Sequence, residues 1–207
     1  MDKGGVLCQS PAIFSVKLKW LWLLPLLLVV DALLLYWWFN RQREHSQDGV
    51  ILQGARRYGV DPALVKAVVW RESRFKPNAK GRAGEIGLMQ VGEAAAREWA
   101  EAERIRFFFH RQLFDPGKNT LAGAWYLRKL LRRYAQTDNP LPYALADYNA
   151  GRSNVLRWNR GAALTNSALF IEQIDFPGTK QYVQAVLRRF EQYRPVFPPG
   201  SKDERKE

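Results

Sequence analysis

Glu72 closes an apolar run in the string Trp70-Arg71-Glu72-Ser73-Arg74-Phe75, and two more strings follow it in order. Gly87-Leu88-Met89-Gln90 begins fifteen residues downstream, and Ala146-Asp147-Tyr148-Asn149-Ala150-Gly151 comes later. A carboxylate, a tight turn carrying an amide and a Tyr-Asn pair are the side chains that cleavage of a glycosidic bond calls for. That reaction needs a proton delivered to the leaving oxygen by a carboxylic acid still protonated near neutral pH. A free glutamate, at about 4.3, would be ionised. Two features raise that value at Glu72. It lies in the last turn of an expected helix, where the dipole disfavours an anion, and it backs onto Val68 and Val69, which exclude water. Helical geometry sends Arg71 to a different side. Taken alone, a Glu in an R-E-S-R string is ordinarily a surface residue paired with arginine. The other two strings are what set it apart.

Gln90 is expected to donate to a sugar, and Tyr148 and Asn149 to meet its N-acetyl or hydroxyl groups. Met89 suits the floor of a cleft and an ordinary core equally well, and Tyr148 can also be read as a buried aromatic. Gly151 permits the turn after Asn149.

The positioning elements read as helices. Asp61-Pro62 is a helix start, acid at the N-cap and proline at the first helical position. The helix runs to about Arg74, with Val65, Val68 and Val69 on the face of Glu72. A second helix is expected from Pro116 to Ala135, with Leu121, Ala124, Trp125, Leu127, Leu130, Leu131 and Tyr134 inward. A third, Lys180 to Tyr193, buries Tyr182, Val183, Val186, Leu187 and Phe190. Shorter helices are expected over Tyr143–Asn149 and Asn154–Trp158. No extended alternation calls for a sheet, although a small strand or turn is compatible with Gly84 to Val91.

Before this domain lies the apolar run Leu18 to Phe39. Twenty-two helical residues rise about 33 Å, enough to cross a bilayer's hydrocarbon core. Trp20 and Trp22 near one end, and Tyr36, Trp37 and Trp38 near the other, suit the two interfaces. The run is too long for a cleaved signal peptide and ends without a small-x-small site. Lysines before it and arginines behind it leave its direction undecided. Asp31, within it, is costly for a membrane interior. The single cysteine, Cys8, precedes the run, so the domain has no disulfide framework or cysteine zinc site. His45 and His110 stand alone, and no cofactor or metal is expected. The net charge of +12 favours polyanions. The expected membrane tether and the lack of a recognisable nucleic-acid-binding motif disfavour DNA and RNA, and no nucleic-acid partner is expected.

The ordered set E-S, G-L-M-Q and Y-N-A-G resembles the catalytic domain of the soluble-type lytic transglycosylases, over roughly Ile51 to Tyr193. Leu113-Phe114-Asp115-Pro116-Gly117-Lys118-Asn119 resembles the family too. The resemblance implies an all-α, goose-lysozyme-like fold and a role for Ser73 in positioning backbone. It further implies that one glutamate cleaves between N-acetylmuramic acid and N-acetylglucosamine, leaving 1,6-anhydro ends without water. Three positions depart from the pattern. Gly81 stands where many members carry Ser, and Gly92-Glu93 follow Val91 where several have Met-Pro. Phe176-Pro177-Gly178-Thr179 lacks the acid of a late P-x-x-E-T element, while Tyr182-Val183 remain. Glu85 occupies a position usually held by a small residue.

These readings assemble into an N-terminal tail (1–17), a transmembrane anchor (18–39), a linker (40–49), an all-α lysozyme-like domain (50–194) and a disordered tail (195–207). The expected catalytic residue is Glu72, and the expected substrate contacts are Ser73, Met89, Gln90, Tyr148 and Asn149. The expected partners are peptidoglycan strands and the inner membrane, with the domain on its outer face. No protein partner can be named. Two alternatives stand: a hydrolytic muramidase with Glu85 or Asp147 activating water, and a catalytically silent glycan-binding scaffold.

Overall fold

The computed structural model describes residues 23–197. The expected N-terminal tail, the start of the anchor (18–22) and residues 198–207 of the expected disordered tail lie outside the described residues. The chain divides into two units, one ending at Gln42 and the other beginning at Arg43.

Helix α1, Leu23–His45, has no buried residue and is long and apolar enough to cross a membrane. It does not stop at Phe39. Arg41, Gln42, Arg43 and Glu44 are good helix formers and carry it through most of the expected linker. Only Ser46 and Gln47 separate it from α2, Asp48–Tyr58. The side chains of His45 and Asp48 bridge this junction at 3.0 Å.

The second unit is built around α3, Pro62–Ser73. Asp61 caps it by accepting from the Ala63 N–H at 2.9 Å, with Pro62 in the first turn, as expected. Every residue from Pro62 to Val69 is buried, so α3 is enclosed rather than amphipathic. Burial on all sides leaves one charge inside. Lys66 is held by Asp48 at 2.6 Å and lies over the Phe197 ring at 4.5 Å. A buried lysine is tolerable only when paired in this way.

Helix α4 spans Glu93–Ala102, α5 Pro116–Arg133, α6 Pro140–Ala150, α7 Arg152–Trp158, α8 Ser167–Gln173 and α9 Pro177–Tyr193. Helix α5 stops two residues short of the expected Ala135. Helices α6 and α9 each begin three residues early, because Pro140 and Pro177 open them. Two short 3-10 turns, His110–Phe114 and Gly161–Leu164, complete the helical elements among the described residues. No strand occurs among the described residues, but Ile86 makes isolated bridges to Lys80 and Val91. They fall where a small strand or turn was expected.

Helix α9 packs against α3 and α6, and α5 packs against α2 and α6. This arrangement brings the C-terminal end of α3, with Glu72, against the middle of α9. Residues 195–197, expected in the disordered tail, instead turn back. Phe197 donates its N–H to the Tyr193 carbonyl at 2.7 Å and packs against the core.

Candidate active site

Helix α3 ends one residue after Glu72, and the chain then enters two consecutive left-handed residues, Arg74 (φ 53°) and Phe75 (φ 61°). Few non-glycine residues adopt this conformation, and here it turns the chain sharply away beside the carboxyl group. Glu72 is partly buried, and Tyr182 of α9 donates its hydroxyl to Glu72 Oε1 at 2.6 Å. Burial pushes the carboxyl up to about 7. The Tyr182 hydrogen bond and the Arg71 charge oppose this, and the Glu85 charge adds to it. Thus Arg71 does act on Glu72, contrary to the expectation from helical geometry. Its guanidinium stacks over the Tyr182 ring at 5.2 Å, and the long side chain bends around the helix to reach it.

Next in sequence order comes the Gly87–Gln90 turn, which is clasped by Asn119. This fully buried side chain accepts from the Met89 N–H at 2.8 Å and donates to the Ile86 and Leu113 carbonyls, both at 2.8 Å. Gly87 has φ 80°, and a Cβ there would lie 2.1 Å from Asn119 Nδ2. The clasp therefore excludes any larger residue. Met89 is fully buried. Its sulfur would lie 2.4 Å from a Cβ on Gly123, so its side chain fills the place left by that glycine. Of its two readings, core is the one observed, and its backbone carbonyl accepts from Tyr148 Oη at 2.8 Å.

The Gln90 amide is spent locally. Its Nε2 donates to Gly87 O at 2.8 Å and to Ala79 O at 3.1 Å. These two donations brace the turn and leave Gln90 Oε1 as an acceptor. Ser73 is buried and donates to the Val69 carbonyl at 3.2 Å, a backbone contact in keeping with the expected role. Tyr148 lies partly buried against Tyr126, ring centroids 5.6 Å apart. Burial, then the Glu72 charge, holds its phenol well above its ordinary value. Asn149 is exposed and accepts from Thr179 Oγ1 at 2.9 Å. The late element that lacks its acid is thereby tied to the Tyr-Asn string through Thr179.

The two acids considered as water-activating bases have different fates. Asp147 is buried and bound by Arg133 at 2.5 Å and by Tyr134 at 2.7 Å. Fully engaged away from solvent, it is excluded as a base. Glu85 stands over Gly81. Its Oε2 lies 2.2 Å from where a Cβ at position 81 would be, so its carboxylate fills the volume that a serine there would enter. Tyr182 and Asn119 were missed as site residues. Tyr182 falls in a helical stripe of apolar residues, and Asn119 in the first turns of a helix. Only the family-like string ending at Asn119 hinted at the second.

No group of three or more metal-ligating side chains occurs among the described residues. The side chains gathered around Glu72 are its phenol donor Tyr182 and the neighbouring Arg71.

The sequence matches the transglycosylase SLT domain family over residues 49–171. It is 38% identical over 122 residues to membrane-bound lytic murein transglycosylase C of Klebsiella pneumoniae, covering 56% of this chain and 34% of that one. The chain thus spans about a third of the length of the curated relatives it matches. Among solved structures, it resembles the lytic transglycosylase Slt of Pseudomonas aeruginosa, with TM-score 0.66 and 27% identity over 74% of this chain and 24% of that one. It also resembles the 70 kDa soluble lytic transglycosylase of Escherichia coli, with TM-score 0.64 and 25% identity over 72% and 24%. Both sequence and helical framework agree with the lysozyme-like fold expected, and the chain belongs to the transglycosylase SLT domain family.

Proposed function

We propose that the protein is a membrane-held lytic transglycosylase of peptidoglycan with Glu72 as its acid and base. As acid, Glu72 protonates the oxygen linking N-acetylmuramic acid to N-acetylglucosamine while the C1–O bond breaks. As base, it then takes the proton of the muramoyl C6 hydroxyl while that oxygen bonds to C1. The proton returns to Glu72, and no water is consumed. The observation that carries this reading is a carboxyl group pushed up to about 7 by burial, while a phenol fixes one of its oxygens. A group poised near neutral pH can both give and take a proton. Tyr148 and Asn149 line the substrate side, Ser73 and Met89 act through the backbone, and Gln90 offers Oε1 to a sugar N–H or O–H.

A silent scaffold has no use for a carboxyl desolvated to this extent. The hydrolytic reading keeps one supporting observation, the Glu85 charge felt at Glu72. Replacing the acid decides the matter first. Glu72→Gln in the full chain should retain the fold and lose at least ~10²-fold in muropeptide release, whereas release within threefold of wild type would remove Glu72 from the chemistry.

The Klebsiella pneumoniae relative named above is a membrane-bound protein, and α1 is long and apolar enough to cross a bilayer. We place the domain on the outer face of the inner membrane. Protease added to spheroplasts should digest it, and protection of the whole domain would put it on the wrong side of the membrane for its substrate.

A further inference from the structure

Two adjoining cavities are lined by none of Glu72, Gln90, Tyr148 and Asn149. The first, about 530 Å³, lies between the ends of α2 and α4 and one face of α5. Its cations are Arg57, Arg128, Lys129 and Arg132, and its one lining acid is Glu103. That acid is already taken, by Arg57 at 2.9 Å and by the Tyr58 hydroxyl at 3.0 Å. Lys129 pairs with Glu98. Arg128 and Arg132 have no acidic partner among the described residues, and Arg128 Nε is buried without any hydrogen-bond partner. A buried donor left unpaired costs free energy that an anion would relieve.

The second cavity, about 520 Å³, shares Arg57, Tyr58 and Glu103 with the first. Trp99, Ile105, Phe107 and Phe108 give it apolar walls, and Arg106 and Lys118 also line it. Phe107 at its lip is 86% exposed and sits at φ 56°, just after Arg104 at φ 55°. A bulky apolar side chain held out to solvent from two left-handed turns is unusual unless it meets an apolar partner.

We propose that the paired cavities bind one anionic phospholipid, its phosphate in the basic groove and an acyl chain in the apolar cavity. Charge selects the head and the aromatic walls select the tail. A free phosphate would leave the apolar half unused, and an uncharged lipid would leave Arg128 and Arg132 unanswered. The bilayer that α1 is suited to cross supplies such lipids at high local concentration.

Native mass spectrometry of the full chain, released from neutral detergent with equal amounts of phosphatidylglycerol and phosphatidylcholine, tests this directly. Wild type should retain phosphatidylglycerol at least fivefold over phosphatidylcholine. Arg128→Gln with Arg132→Gln should bring that ratio close to one, and Arg132→Gln alone should lower it if the double variant does not fold. Phe107→Ser should reduce retention of lipid at an unaltered headgroup ratio. A wild-type ratio near one, or a ratio indifferent to Arg132, would overturn the site. Inorganic phosphate competing as well as phosphatidylglycerol at equal concentration would overturn the lipid assignment. Because the readout is binding, neither result depends on the proposed activity of Glu72.

Discussion

The Tyr182 hydroxyl reaches Glu72 Oε1 at 2.6 Å across 110 residues of sequence. The contact ties α9 to the end of α3 and opposes the burial that raises the carboxyl group. Two tendencies thus balance on one atom, and their balance sets the pH at which the acid is protonated.

The general acid works only while protonated, so activity should fall as pH rises through about 7. Tyr182→Phe removes an interaction that favours the anion, and the alkaline limb of the pH–kcat/KM profile should move upward. Arg71→Gln should move it the same way. A limb that stays fixed in both variants would mean that another group controls it.

Glu85 acts in the opposite sense, since its negative charge raises the Glu72 value. Glu85→Gln should therefore shift the alkaline limb downward while turnover continues. Complete loss of turnover, with folding intact, would instead identify Glu85 as the base of a hydrolase.

Two helix starts were legible because their chemistry is local, whereas those at Pro140 and Pro177 were placed three residues late. Asp61-Pro62 and Asp115-Pro116 place an acid and a proline where a first turn wants them, and both caps form. The company of strings around Glu72 singled out a carboxyl group that the structure buries and raises. Its partner Tyr182 stood out only through the retained Tyr182-Val183 pair, because a tyrosine in an apolar helical stripe has the same signature whether its hydroxyl meets solvent or a buried carboxyl group. Gln90 shows the same limit. Its identity marked the turn, but whether its amide would meet a sugar or the Ala79 and Gly87 carbonyls depended on the turn's closed geometry. The linker expected over 40–49 is largely helical, because polar residues say nothing against a helix. Arg41 to Glu44 continue α1 as readily as they would leave it.

Stability should carry the mark of the same acid. Its folded value, about 7, lies above its ordinary 4.5. The unfolded chain therefore gives up this proton first, and native stability is undiminished below about 4.5. It declines as pH rises toward 7 and stays lowered above that. The full difference corresponds to about 3 kcal/mol. Glu72→Gln, which cannot ionise, should melt roughly 5–10 °C above wild type at pH 8 and level with it at pH 4. Equal melting temperatures at both values would show that Glu72 is not desolvated.

The products report on the chemistry itself. Peptidoglycan digested with the full chain and analysed by mass spectrometry should yield muropeptides ending in 1,6-anhydro-N-acetylmuramic acid, one water lighter than reducing ends. Glu72→Gln should yield neither. Dominant anhydro ends from wild type would fit a single acid and base acting without water, and dominant reducing ends would contradict it.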